Sequence, residues 1–169
     1  MDYFDLIQKR YSVRAYKPDP VEDDKLQKVL QAGCWAPTAC NLQPFQVMVV
    51  PTAGHAKEIG RIYHRDWLSQ APLLLGICTR PASAWVRKDG KNYGDVDATI
   101  AMDHMILAAC SLGLGTCWIA AFDPRAAREI LRIPDALEPL AFTPLGYPAD
   151  RMPPKKRKSL EELVIRHSW

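Results

Sequence analysis

A long apolar helix limits what this chain can fold into more than any other feature of its sequence. A helix is predicted over residues 95–112, and it has no wide polar face, so it must be covered on every side. In a chain of 169 residues one sheet can cover only one side, so we expect a second copy to cover the other in a C2 homodimer. The apolar positions are Val96, Ile100, Ala101, Met102, Met105, Ile106, Leu107, Ala108 and Ala109.

This apolar run is long enough to be compared with a membrane span. Asp97, Asp103 and His104 interrupt it, and a charged side chain at the bilayer centre costs about 2.5 kcal/mol or more. We therefore expect a buried helix of a soluble protein, without a membrane partner. No N-terminal run is apolar enough for a signal peptide, and five widely spaced cysteines without a C-x-x-C pair indicate reduced thiols in a cytoplasmic protein.

Composition narrows the functional classes. The 48% hydrophobic and 24% charged content is that of an ordinary globular chain, so residues 1–169 are expected to form one domain. A net charge of +3 suits a phosphorylated small ligand and is too small to indicate a general nucleic-acid binder. The four histidines are scattered, so no metal site is predicted.

The remaining helices and strands are predicted from hydrophobic periodicity and from residues that start or end such elements. We predict helices over 22–34 and 124–131 and strands over 46–50, 73–78, 116–122 and 140–145. Gly113-Leu114-Gly115 lies between a helix and a predicted strand, the reverse of the order that a dinucleotide fingerprint requires. The glycines are therefore assigned to a helix C-cap rather than to a Rossmann loop.

Two polar stretches are candidates for a binding site. Residues 9–14 place Arg10, Tyr11, Ser12 and Arg14 after a short helix, and forked guanidinium donors suit phosphate or a flat carbonyl edge. Residues 36–45 contain amide and hydroxyl groups that could read the edge of a heterocycle: Thr38, Asn41 and Gln43. The alternatives are a solvated helix end for the first stretch and a proline-stiffened connection for the second.

Three further segments stay open on sequence alone. Residues 80–93 are either a lid or a surface loop. The basic run 155–158 is a nucleic-acid patch, a solvated tail, or a segment that folds back onto a phosphate. Cys40 is either redox-active or a packed thiol.

Five motifs in register resemble the nitroreductase family of flavin mononucleotide (FMN) enzymes. They cover nearly the whole chain: Arg10-Tyr11-Ser12-Val13-Arg14; Ala36-Pro37-Thr38 followed by Asn41, Gln43, Pro44 and Phe45; the apolar helix ending in Gly113-Leu114-Gly115; Gly146-Tyr147-Pro148; and the basic segment before Leu160-Glu161-Glu162.

The resemblance implies an α+β fold, a mixed sheet flanked by helices in an intertwined homodimer with two interface active sites. It implies that Arg10 and Ser12 bind FMN in the ribityl phosphate region, with Lys156 or Arg157 completing the phosphate site. Arg14, the candidate catalytic residue, would bind the pyrimidine edge, and Tyr11 is also implied to contact the cofactor. Further cofactor contacts are implied for Pro37, Thr38, Ala39, Asn41 and Gln43, the loop coming from the other subunit, and for Trp118, Ile119 and Ala120.

The resemblance also implies a reaction. Hydride would pass from NADH or NADPH to flavin and on to a small organic acceptor, such as a nitroaromatic or a quinone, by a ping-pong mechanism. This sequence departs from the family at Tyr11, Thr38 and Phe45, and the absence of a basic residue at Tyr11 shifts weight to the basic tail. The alternatives are a specialised member acting as dehydrogenase, dehalogenase or flavin-fragmenting enzyme, and a cofactor-free, basic-tailed nucleic-acid or interaction module.

Overall fold

A three-stranded antiparallel sheet forms the centre of the protein. The computed structural model describes residues 2–167, and its strands β1 (Phe45–Pro51), β2 (Leu73–Thr79) and β3 (Glu138–Leu145) lie in the order β1-β2-β3. Six of the seven residues of β2 are buried, which confirms that the apolar run at 73–78 is a strand covered on both faces. Within residues 2–167 the one parallel pairing is an isolated bridge between Ser12 and Thr116.

Helices cover both faces of the sheet. In chain order they are α1 (Tyr3–Lys9), α2 (Asp23–Cys34), α3 (Ala56–Ile62), α4 (Gly94–Ser111), α5 (Pro124–Leu131) and α6 (Leu160–Leu163), with 3₁₀ turns at Ala39–Asn41, Asp66–Gln70 and Pro81–Ser83. One hydrophobic cluster joins α2 and α4 to one face of the sheet, and a second joins α3 and α5 to the other. The fold is therefore the α+β arrangement that the sequence predicted.

Local chemistry explains where the helices begin and end. The Asp123 carboxylate accepts the N–H groups of Arg125 and Ala126, and Pro124 occupies the first turn of α5, as predicted. Gly113 has φ +79° directly after α4, which confirms the predicted C-cap. Ser159 and Glu162 form a reciprocal capping box on α6.

The predicted strand over 116–122 is wrong. This segment forms only single-residue bridges, from Thr116 to Ser12 and from Ile119 to Phe142, and Gly115 just before it bridges Gly146. Because its successive residues pair with different parts of the chain, no continuous ladder develops. The segment connects the N-terminal stretch to β3 instead of extending the sheet.

Helix α4 is buried along one side and less covered along the other. Eight of its 18 residues are buried, against α2 and the sheet. Val96, Thr99, Asp103 and Ser111 are exposed, and Leu107 is half-buried. Within residues 2–167 no helix is long and apolar enough to cross a membrane.

Candidate functional site

The N-terminal polar stretch lies against the segment that follows α4. Val13 N–H donates to the Thr116 carbonyl at 2.9 Å, next to the bridge between Ser12 and Thr116. A Cβ atom added to Gly115 would stand 2.6 Å from Val13 Cγ2, so the close approach of the two segments requires glycine at this position. Residues far apart in sequence are thereby joined into one surface at the C-terminal end of α4.

One carboxylate fixes the shape of this stretch. Asp150 Oδ2 accepts the Arg14 N–H at 2.8 Å, and Oδ1 accepts the Tyr11 hydroxyl at 3.0 Å. Burial and the bond to Asp150 raise the pKa of Tyr11 to about 12. Asp150 therefore holds positions 11 and 14 in a fixed relation, and Arg14 keeps an exposed side chain.

A group of cations lies beside a small cavity at this end of the molecule. The cavity, of about 150 Å³, is lined in part by Lys9, Arg10, Cys110 and Gly113. Lys155 reaches the same region, because its ammonium donates to the Ile7 and Gln8 carbonyls at the end of α1.

The charges in this group face one another without a carboxylate between them. The pKa of Lys155 is lowered by desolvation and then by the nearby charges of Arg10 and Arg157. Among the described residues no carboxylate forms an ion pair with Arg10, Lys155 or Arg157. Uncompensated cations around a glycine-containing cavity fit a phosphate group.

The second polar stretch is a strained loop. Cys40, Asn41 and Gln43 all have positive φ, at 52°, 54° and 48°, a conformation that residues other than glycine rarely adopt. The loop bonds to itself: Gln43 N–H donates to Thr38 Oγ1 at 3.1 Å, and Gln43 Nε2 donates to the Asn41 carbonyl at 2.8 Å. Strain of this kind in a polar loop indicates a binding role.

The two polar surfaces lie at opposite ends of α4. The loop is tied to the first turn of α4, where Ala39 N–H donates to Asp97 Oδ1 at 2.9 Å, whereas Cys110 lines the cation cavity near the last turn. Thirteen residues at about 1.5 Å each separate positions 97 and 110 by roughly 20 Å. One protomer therefore does not bring all of the predicted site residues together.

The predicted site residues divide between these two ends. Arg10, Tyr11, Ser12 and Arg14 lie with the segment 115–120, in which Ile119 is buried and the side chains of Trp118 and Ala120 are exposed. The predicted loop residues form the other set: Pro37, Thr38, Ala39, Asn41 and Gln43. Lys156 has an exposed side chain, and its carbonyl accepts from Arg157 Nη1.

Sequence reasoning missed four residues that shape these surfaces. Lys155, next to the predicted Lys156, is the residue whose ammonium bonds to the end of α1, and a run of four basic residues in the sequence does not show which of them does so. Asp150 has no local signature, because its partners are nearly 140 positions away. Gly115 was assigned to a cap instead of a close approach. Asp97 was visible as a charge in an apolar helix, but it was used only against a membrane span.

Comparison with known proteins gives the family. The family model described as "Nitroreductase family" matches residues 7–72 and 61–147. The chain belongs to the nitroreductase family. A nitroreductase family protein of Clostridium difficile 630 is 34% identical, with a TM-score of 0.91 over 100% of both chains.

Two further relatives carry functional names. FMN reductase [NAD(P)H] of Bacillus subtilis is 31% identical over 92% of this chain and 69% of its own length. An FMN-dependent nitroreductase of Clostridium difficile R20291 is 27% identical, with a TM-score of 0.73 over 93% of this chain and 92% of its own. The family and the fold predicted from the sequence are therefore confirmed.

The raised pKa of Tyr11 provides a test of the hydrogen bond between Tyr11 and Asp150. Because folding favours the neutral phenol, this contribution to stability is complete below the ordinary pKa of 10.0 and is lost as the pH rises to about 12. We expect Tyr11→Phe to lower the free energy of unfolding at neutral pH, with a difference from the wild type that shrinks between those values. Urea denaturation across this pH range measures it, with Tyr3→Phe on an exposed side chain as control. A difference in the free energy of unfolding that does not change with pH would contradict a stabilising bond between Tyr11 and Asp150.

Proposed function

We propose that the protein moves hydride from NADH or NADPH to FMN and on to a small organic acceptor, such as a nitroaromatic or a quinone, by a ping-pong mechanism. Its class is that of its family: an NAD(P)H-dependent flavin oxidoreductase with FMN as cofactor, as predicted from the sequence. The acceptor and the kinetic order are the proposed part. The observation that carries the proposal is the group of cations at the cavity: Lys9 and Arg10 line it, and Lys155 is bonded to the end of α1 next to them. Together they have the charge to hold the flavin phosphate.

The protein's own residues would bind and orient the flavin. Arg10 and Lys155 would hold the phosphate. Asp150 fixes the backbone at Arg14, from which the Arg14 side chain would reach the pyrimidine edge. The exposed Trp118 and Ala120 would border the flavin face where nicotinamide and acceptor enter in turn. FMN, when bound, supplies the hydride chemistry, so no protein nucleophile is needed.

The separation of the two surfaces supports a homodimer with two interface sites. A two-fold axis crossing the middle of α4 would bring the loop 38–43 of one copy to the cation group of the other. Several large apolar side chains are exposed in one protomer, as expected for a surface that a second copy covers: Phe4, Trp35, Leu163 and Ile165.

The single domain and the cytoplasmic location are also proposals. The two hydrophobic clusters share one sheet, which supports a single FMN-binding domain over residues 1–169. Cytoplasmic location stays a prediction. A specialised dehydrogenase, dehalogenase or flavin-fragmenting activity at the same site remains the alternative within the family.

The phosphate assignment is tested by comparing two flavins. We expect the wild type to bind FMN much more tightly than riboflavin, and Lys155→Ala to weaken FMN alone, by about 1.5–3 kcal/mol for a lost charge-assisted bond. Quenching of flavin fluorescence gives both dissociation constants, and Lys158→Ala is the matched control in the same basic run. A wild type that binds neither flavin but binds polyanions in a salt-dependent way would favour the nucleic-acid module instead.

The dimer is tested at the outer side of α4. Leu107 is half-buried and is not among the side chains packed against the hydrophobic clusters, so Leu107→Glu should disturb the interface more than the protomer. We expect sedimentation velocity to show a wild-type dimer at micromolar concentration, a monomeric Leu107→Glu variant, and loss of FMN binding with the dimer. A folded monomer that binds FMN as tightly as the wild type would refute a shared site.

Arg14 is expected to tune the flavin potential. Reduction leaves negative charge at the pyrimidine edge, and a guanidinium there stabilises the reduced form more than the oxidised form. A charge-assisted bond of about 1.5–3 kcal/mol corresponds to roughly 30–60 mV for a two-electron couple, so Arg14→Gln should lower the midpoint potential by about that amount.

Dye-equilibrated reduction of the FMN-saturated variant measures the potential of the Arg14→Gln protein. Arg125→Gln, on the exposed first turn of α5, is the control for a general loss of positive charge. An unchanged potential in the Arg14→Gln protein would place the charge beside the flavin elsewhere.

A further inference from the structure

A buried carboxylate at the start of α4 has only one of its two oxygens hydrogen-bonded. Asp97 is 2% exposed, and among the described residues it is the one acidic or basic residue that is buried. Oδ1 accepts the Ala39 N–H at 2.9 Å, whereas Oδ2 has no hydrogen-bond partner within residues 2–167. Burying a carboxylate is costly even when it is fully bonded, so this acid requires an explanation other than packing.

The bond from Ala39 joins Asp97 to a loop with an unfavourable backbone conformation. Cys40, Asn41 and Gln43 follow with positive φ, and each of these conformations is disfavoured for a residue with a Cβ atom. The hydrogen bonds of Gln43 lie within the loop itself. The bond to Asp97 ties the start of the loop to a rigid helix that is fixed in the hydrophobic core.

The shape held in this way leaves a specific pair of groups available. Gln43 Nε2 donates to Asn41 Oδ1 at 3.1 Å, which orients both amides. Asn41 Nδ2 remains as a donor and Gln43 Oε1 as an acceptor, and neither has a partner among the described residues. A free amide N–H and a free amide oxygen are the donor and the acceptor that the carbonyl and N–H of a pyrimidine imide require.

We infer that Asp97 is a positioning residue. Its carboxylate fixes Ala39 and thereby holds the strained loop 38–43 in the shape that presents Asn41 and Gln43 to the flavin ring. This inference rests on the proposed function, and it assigns the loop of one copy to the flavin ring, whereas the cations of the other copy would hold the phosphate.

The test compares three full-length variants with the wild type. Asp97→Ala removes the acceptor for Ala39, and Asp97→Asn retains an oxygen there. The control, Thr52→Val, removes another buried bond from a side chain to the backbone, between Thr52 and the Ala71 carbonyl beyond the far end of β1. Amide hydrogen exchange without added flavin compares residues 38–43 with residues 73–79 of the core, and fluorescence quenching gives the affinities for FMN and riboflavin.

We expect Asp97→Ala to raise exchange in residues 38–43 about tenfold, the effect of losing one buried hydrogen bond, and to leave residues 73–79 protected. Its dissociation constants for FMN and riboflavin should rise together, about tenfold or more, so that their ratio stays that of the wild type. Asp97→Asn should stay within about threefold of the wild type in both measurements, as should Thr52→Val.

Four outcomes would overturn the inference. The first is unchanged exchange in the loop of Asp97→Ala, and the second is increased loop exchange with unchanged flavin affinity. The third is loss of protection in residues 73–79 of Asp97→Ala together with failure of Asp97→Asn to restore it, since Asp97 would then serve the fold as a whole. The fourth is a wild type that binds no flavin, which alone would also remove the proposed function.

Discussion

The structure depends on a single helix that is apolar over most of its length and has a polar surface next to each of its ends. Helix α4 packs against α2 and the sheet through its buried side, and its 18 residues give it a length of about 27 Å. Because it is rigid and fixed in the core, it sets the distance between the strained loop at its first turn and the cations at its last. No flexible segment needs to establish that distance.

The features predicted from sequence are those that local patterns determine. The start of α5 follows from Asp123 and Pro124, and the end of α4 follows from Gly113, because caps and turns are determined by residues next to one another. Burial of β2 follows from an unbroken apolar run. The family and its cofactor came from the order of several motifs, and no single element would have provided them.

The errors arose where distant residues decide the structure. Residues 116–122 have the composition of a strand, but they are divided between the N-terminal stretch and β3, and nothing within the segment indicates this. The same limit explains why the sequence could not choose Lys155 from a basic run, or connect Asp150 to Tyr11 and Arg14. In each case the partner is fixed by chain topology, so neighbouring residues carry no signal for it.

The isolated protomer has unfavourable features at both ends of α4 that its internal hydrogen bonds compensate only in part. At one end the positive charges of Arg10 and Arg157 act on Lys155. At the other a buried carboxylate with an unpartnered oxygen is bonded to Ala39, and three of the residues that follow Ala39 have unfavourable backbone conformations. Stability alone would favour an apolar residue at position 97 and a carboxylate among the cations. A phosphate would neutralise the cations, and a ring bound by the loop of the opposite copy would compensate for its strain. The features that lower the stability of the isolated protomer are therefore the ones that a second copy, with an anionic, planar ligand in each of the two interface sites, would correct.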